Sequence, residues 1–382
     1  MRPVRDVVIV GGGPVGTMLA CVLAVGGIDV EVLEQREQPS LRSRAIGIHP
    51  PSLATLAGIG VLDALLERAV RIGAGEVRCD GRRLGQLSFE RAAPRYPFVA
   101  ALPQYETEAL LRQRFEQLRP GRYRSGVTVT AVRDGGAAVL LSTDAGQVEA
   151  RYVIGADGAR SVVRHAAGIT WQQLGRRETY LMGDFIDTAL ADTGPGASRA
   201  VLYFERGGVV ESFPLPGGRR RWVAMTDFLA TDAGSADLAA LIRHRTGVRV
   251  AEPVGEASAF AVQQRLAGRM HAGRIVLVGD AAHQISPIGG QGMNLGWLDA
   301  VALAPALQRA LLVPSQAASV LAGYDRTRRN AARRAAVQAG FNMNMGRPAH
   351  GVRLGARNAL VRALTLPPAN ELIARAFTMR WL

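Results

Sequence analysis

Apolar positions fall into two spacings along the chain. Val7-Val8-Ile9-Val10 is a continuous β-branched run, which predicts a strand buried on both faces of a parallel sheet. Thr17 to Val25 is apolar throughout and stops at Gly26-Gly27, which predicts a short buried helix. Val30 to Glu34 reads as a second strand. The order is strand, glycine-rich turn, helix, strand: a βαβ unit. The apolar stretch from Val7 to Val25 is long enough to suggest a membrane span, but the glycines at 11–13 and Pro14 argue against one continuous helix.

The pattern then changes. Residues 70–100 and 170–265 carry short strand-like runs separated by Gly and Pro, including Tyr180 to Ile186, Ala200 to Arg206, Val209 to Pro214 and Arg221 to Asp227. These predict an antiparallel sheet. Between them Glu106 to Leu118 reads as a helix, and Thr128 to Gly155 as strands. A further buried strand is expected at Arg274 to Val278 and a helix near Leu295 to Leu307, with mostly helical, basic sequence beyond about residue 315. The parallel-sheet fold is therefore assembled from separated segments.

Composition narrows the classes. The chain has 382 residues, 48% hydrophobic and 20% charged, as in an ordinary globular enzyme. The net charge of +14 comes from 46 basic residues, all arginine and scattered along the chain. Uniform arginine usage with abundant Ala and Gly reads as a GC-rich genome. Aromatics are only 5%, and no aromatic-interleaved basic strip offers bases a stacking surface, so nucleic acid is not the expected partner. Cys21 and Cys79 form no CxxC pair, and histidines 49, 165, 244, 271, 283 and 350 form no HExxH pair. No disulfide framework and no metal site is expected, and a reducing cytoplasm is the expected compartment. No secretory signal is read at the N-terminus.

Gly11-Gly12-Gly13-Pro14-Val15-Gly16 contains GxGxxG between a strand and a helix. The first glycine permits the tight turn, the second lets backbone approach a pyrophosphate, and the third lets helix and strand pack closely. The helix N-terminus offers free N–H groups to the phosphates. Glu34 ends the next strand at the distance expected of a ribose-binding acid. This motif alone leaves NAD and FAD open.

Two later stretches go further. One is Tyr152-Val-Ile-Gly155-Ala-Asp157-Gly158-Ala-Arg160-Ser161. The other is Arg274-Ile-Val-Leu-Val-Gly279-Asp280-Ala281-Ala282-His283, continuing to Pro287-Ile-Gly289-Gly290-Gln291-Gly292-Met293-Asn294. A buried strand ending in Gly-Asp sets a carboxylate at the carboxyl end of a sheet, where ligands bind. Asp280 there suits a polyol ligand or, alternatively, a helix N-cap before Ala281-Ala282; Asp157-Gly158 by itself is compatible with a simple turn.

In this order the three signatures resemble those of the flavoprotein aromatic hydroxylases, the single-component FAD monooxygenases that include para-hydroxybenzoate hydroxylase. The resemblance spans residues 7 to about 300. It implies an α/β fold: a Rossmann-like FAD-binding domain from residues 1–70, 101–168 and 266–315, a substrate-binding sheet domain from 71–100 and 169–265, and a helical C-terminal region from 316–382. It places Asp280 on the ribityl chain of FAD and the backbone of Met293 and Asn294 at the flavin edge. Arg44 is expected to clamp the pyrophosphate, and Asp157 to support FAD and the nicotinamide cofactor. The implied cofactor contacts are Gly11, Gly13, Pro14, Val15, Gly16, Glu34, Gln35, Arg36, Arg44, Gln104, Val129, Asp157, Gly158, Gly279, Asp280, Pro287, Gly290, Gly292, Met293 and Asn294.

The resemblance implies reduction of FAD by NADPH or NADH, oxygen addition at flavin C4a, and transfer of oxygen from the hydroperoxide to an electron-rich carbon. No separate nicotinamide domain is expected. The expected substrate is an apolar aromatic or polycyclic, polyketide-like molecule, as in secondary metabolism. Its expected wall includes Met182, Phe204, Phe213 and Met225, and Asp184, Tyr203 and His283 are candidates for a base. His283 lies inside the cofactor turn, which favours a structural role for it. Baeyer–Villiger or epoxidising chemistry, a dehydrogenase or isomerase, and a flavin-binding auxiliary protein remain alternatives; no WxWxIP halogenase signature is present. Many relatives acting on bulky polyketides carry a C-terminal thioredoxin-like domain, which is not expected up to Leu382, and the apolar, basic stretch Gly351 to Leu382 is expected to pack on the FAD domain rather than to touch a membrane. A monomer or homodimer without stable membrane insertion is expected.

Overall fold

The computed structural model describes residues 4–40, 45–90, 93–187, 199–286 and 290–379. The first strand, Arg5–Val10, runs parallel to Val30–Glu34 on one side and to Gly146–Gly155 on the other. Tyr123–Ser125 and Ile275–Leu277 extend the parallel sheet at its two ends. Because the chain leaves the first strand in one direction and later returns on its other side, a crevice opens at the carboxyl ends beside residues 10 and 155, where ligands bind in such sheets. The strands are buried as their β-branched runs require, with Val7, Val8 and Ile9 fully inaccessible.

Helix Pro14–Val25 follows the first strand, and Cys21 lies within its buried face. Burial pushes that thiol up to about 12, so it packs as an inert apolar group. The expected helix at 106–118 is Gln104–Leu118. The one near 295–307 is longer, Gln291–Leu312, and continues through Pro305. Among the described residues it alone is long and apolar enough to cross a membrane. Its Leu295, Trp297, Ala300, Leu303 and Leu307 are buried in the core, where it packs on Pro14–Val25 and Ala317–Gly346.

The second sheet has seven strands, built from 74–88 and 178–262. Its pairings are antiparallel except one: Arg199–Glu205 runs parallel to Ala74–Cys79, joining the two separated segments. One helix inside 170–265 departs from the strand-only expectation. Ser235–Thr246 packs Leu238 and Ile242 on one face of the sheet, against Leu181, Phe185, Val210, Trp222 and Ala224. Only two of its side chains are buried, so its apolar spacing is too sparse to register among flanking strands.

The C-terminal helices also differ from expectation. Gly351–Leu364 packs on the second sheet, with Leu354 and Val361 in one cluster with Phe204, Val209 and Met225. Arg357 there donates to the carbonyl oxygens of Arg347 and Phe204. The sheet offers this basic, apolar segment a large unpaired face, which decides the docking.

Candidate functional site

A cleft of about 1240 Å³ runs from the carboxyl ends of the parallel sheet to the open face of the seven-stranded sheet. Pockets for a single drug-sized ligand are roughly 300–1,000 Å³, so the cleft has room for a cofactor and a second molecule.

At the parallel sheet the glycine turn forms one wall. Gly11 has φ +104°, and a Cβ there would stand 2.5 Å from the carbonyl oxygen of Ala156. A Cβ at Gly16 would meet the carbonyl oxygen of Gly11 at 2.0 Å. Both positions close the fold on itself. Gly13 differs: a Cβ there would meet nothing within 4 Å, and the residue lines the cleft. Its bare backbone therefore faces ligand space. Indole Nε1 of Trp297 donates to the Pro14 carbonyl at 2.9 Å, and the Tyr123 hydroxyl donates to the Gly12 carbonyl at 3.0 Å.

Glu34 lies at the end of its strand beside this turn. Its carboxylate accepts from the Gly12 N–H at 2.7 Å and from the Arg36 backbone N–H and Nε at 2.9 and 2.8 Å. Burial raises the Glu34 pKa, but the hydrogen bonds from Arg36 and Gly12 outweigh it and hold the group below the usual range. Gln104 lines the cleft opposite and donates to Glu108 at 2.6 Å. Asp157 accepts from the Val163 N–H at 3.1 Å; its strong burial pushes its pKa up.

Gly279–Ala281 is a single 3₁₀ turn after the strand Ile275–Leu277. It leaves Asp280 exposed at the cleft, while Gly279 is buried against Val15. The Gly279 N–H donates to Asp299 at 3.1 Å, and Asp299 also pairs with His283 at 2.5 Å and Arg328 at 2.7 Å. Burial raises Asp299, but the charges of His283 and Arg328 and their hydrogen bonds outweigh it and lower its pKa. Asn294 holds the following helix start: its Nδ2 donates to the carbonyls of Gly47 and Gly290 at 2.8 Å, and its Oδ1 accepts from the His49 N–H at 2.9 Å.

The expected cofactor contacts Gly11, Gly13, Pro14, Val15, Glu34, Gln35, Arg36, Gln104, Val129, Asp157, Gly158, Asp280, Gly290, Gly292 and Met293 all line this cleft. Gly16, Gly279 and Asn294 do not line it; they pack behind it as described. Arg44 and Pro287 lie outside the described residues.

The other wall is the seven-stranded sheet. Pairing sets Asp184, Arg221 and Phe213 in one row, and Ser258, Met182, Val223 and Glu211 in the next. All seven line the cleft. Phe204 and Met225 are corrections to the expected wall. They belong to the same face farther along, where Met343, Leu354 and Val361 cover them. Tyr203 is a second correction: neighbouring residues of a strand face opposite ways, and Tyr203 stacks on Trp222 at 5.8 Å beneath helix Ser235–Thr246. His283 is fully buried on Asp299, away from the cleft, as a structural residue. Asp184 does reach the cleft, but Arg221 grips both its oxygens at 2.7 and 2.9 Å.

Glu211 and Phe377 are among the lining residues that were not expected. Glu211 sits between Val210 and Ser212 in its strand and carries no motif. Phe377, from helix Ala369–Phe377, stacks on Phe89 at 5.5 Å and sits edge-on to His49 at 5.7 Å. Outside the cleft, Cys79, Asp80 and Glu205 bring three donor atoms within 4.8 Å of one another. Burial raises both Cys79 and Glu205, and Arg206 holds Asp80 at 3.2 Å, so the group reads as a hydrogen-bonded turn rather than a metal centre.

A parallel sheet with a glycine turn, an acid at the next strand end and an exposed Asp at a second turn, joined to a mostly antiparallel sheet across a shared cleft, defines a flavoprotein. Residues 5–339 match the FAD binding domain family, and the chain belongs to the flavoprotein aromatic hydroxylases. It is 32% identical over 300 residues to a rifampicin monooxygenase of Streptomyces venezuelae, covering 77% of this chain and 62% of that protein. The chain spans about 60% of the length of the curated relatives it matches first. The crystal structure of p-nitrophenol 4-monooxygenase from Pseudomonas putida DLL-E4 superposes with a TM-score of 0.87 at 26% identity, covering 100% of this chain and 98% of that one. A Diels–Alderase of pyrroindomycin biosynthesis superposes with a TM-score of 0.80 at 28% identity, over 98% of this chain and 80% of that one.

Proposed function

We propose that the protein is an FAD-dependent monooxygenase that uses NADPH or NADH and O₂ to hydroxylate an apolar aromatic or polycyclic, polyketide-like molecule. The observation that carries this reading is the continuous cleft: glycine-turn backbone, Glu34 and Asp280 at one end, and at the other a sheet wall where Met182, Val223 and Phe213 stand beside the paired Asp184–Arg221 and the polar Ser258 and Glu211. FAD is held by residues 1–70, 101–168 and 266–315, and substrate by the sheet of 71–100 and 169–265. The bare Gly13 backbone admits the pyrophosphate, Asp280 meets the ribityl hydroxyls, and the N–H groups at the start of helix Gln291–Leu312 face the flavin edge. Bound FAD supplies the redox and oxygen-transfer chemistry. Met182, Val223, Phe213 and Phe377 supply a wall that excludes water.

Stopped-flow absorbance of the reduced, FAD-loaded protein mixed with O₂ tests the reading. A transient C4a-hydroperoxyflavin spectrum, lengthened or consumed by an aromatic substrate, is the expected result. Direct reoxidation at every pH, with no product from candidate aromatics, counts against an oxygenase. The likeness to a Diels–Alderase supports a second reading, a flavin-bound cyclisation catalyst; substrate turnover without O₂ uptake would favour it.

A further inference from the structure

We propose that Glu211 is the polar anchor of the substrate chamber, hydrogen-bonding a hydroxyl or keto oxygen of an otherwise apolar, uncharged aromatic molecule. The inference rests on the monooxygenase reading for the term substrate, but the binding it describes is measurable without turnover.

Glu211 sits mid-strand in Gly208–Leu215, paired laterally with Leu202 and Val223. It is 3% exposed and lines the cleft. Its Oε1 is buried with no hydrogen-bond partner among the described residues. A buried polar atom without a partner costs free energy that the fold would shed by using an apolar residue. Among the described residues no group pairs with that oxygen, whereas a molecule in the cleft would.

The protonation state selects the ligand. Burial alone, with no opposing charge, pushes the Glu211 pKa up to about 8. At neutral pH it is mainly a neutral acid, with one O–H donor and one acceptor oxygen. The facing groups do not alter this. The Tyr180 hydroxyl is held protonated by burial and by Glu178, to which it donates at 3.0 Å, and Asp184 and Arg221 neutralise each other. Because Arg221 in the next row is gripped by Asp184, a substrate carboxylate finds no spare cation there. A buried neutral donor–acceptor among Met182, Val223 and Phe213, in one row with the Ser258 hydroxyl, matches a ring bearing an oxygen substituent.

The test titrates FAD-loaded protein at pH 7 with 1-naphthol, naphthalene and 1-naphthoate, read by flavin absorbance and fluorescence. Wild type is expected to bind 1-naphthol about tenfold more tightly than naphthalene, the worth of one buried hydrogen bond. Glu211→Leu should bind both alike, and Glu211→Gln, whose amide also donates and accepts, should keep most of the preference. FAD content and thermal midpoint verify folding, and Glu211→Leu should not lower the midpoint. Equal wild-type affinities, tighter binding of 1-naphthoate, or an undiminished naphthol preference in Glu211→Leu would overturn the anchor. Ligand-stimulated O₂ uptake is followed in parallel. Uptake without a naphthol preference refutes the anchor alone. A naphthol preference without uptake supports the anchor and counts against the oxygenase reading.

Discussion

Arg328 Nε donates to Asp299 Oδ1 at 2.7 Å, with both side chains buried. The pair ties helix Ala317–Gly346 to helix Gln291–Leu312, and through the Gly279 N–H it reaches the turn that presents Asp280. Removing Arg328 takes one of the two side chains that offset the buried Asp299 charge and leaves His283 and the Gly279 N–H to hold it. Arg328→Met is expected to cost about 3–5 kcal/mol in urea unfolding. A loss below about 1 kcal/mol, the range of exposed pairs, would show that the network does not hold the turn.

Asp280 stands at the cleft and is exposed. Asp280→Ala is expected to weaken FAD retention by tenfold or more, while apoprotein stability stays within about 0.5 kcal/mol. FAD content after gel filtration and an apoprotein melt measure the two effects separately. Normal FAD content in the variant would remove the ribityl role.

Gly13 and Gly16 should behave oppositely. Gly13 has φ −70°, which alanine accepts, and its added Cβ opens into the cleft. Gly13→Ala should therefore fold normally and lose FAD affinity. Gly16→Ala drives a methyl into the Gly11 carbonyl at 2.0 Å and should destabilise the apoprotein itself. Equal apoprotein melting of the two variants would contradict this division.

Tyr203 packs under helix Ser235–Thr246, on the sheet face away from the cleft. Tyr203→Phe keeps the ring and its stack on Trp222, so kcat/KM should change less than about twofold, well short of the 10²–10⁴-fold attached to an acid–base group. A loss on that larger scale, with FAD content unchanged, would return Tyr203 to the site.

Glu211 makes stability fall as pH rises. Its folded pKa, about 8, lies above the ordinary 4.5, so the folded protein binds the extra proton between those values. The penalty is absent below about pH 4.5 and grows to a few kcal/mol by pH 8. Glu211→Leu should accordingly gain stability over wild type from pH 5 to pH 8 in urea titrations. A pH-independent difference would mean that Glu211 is ionised in the fold.

The sequence by itself determined the βαβ unit and the order of the three cofactor signatures. Those are local patterns: β-branched runs, a glycine turn whose φ only glycine adopts readily, and acids at strand ends. What each strand faces was decided by the tertiary structure. Met182, Phe204, Phe213 and Met225 share one sheet face and look equivalent in a linear reading, but helix Gly351–Leu364 covers Phe204 and Met225 and leaves Met182 and Phe213 to the cleft. Tyr203 and Phe204 are adjacent in the chain, and the pleat sends them to opposite faces. Glu211 and Phe377 carry no motif; they reach the cleft through strand register and helix docking, long-range contacts that no spacing along the chain encodes.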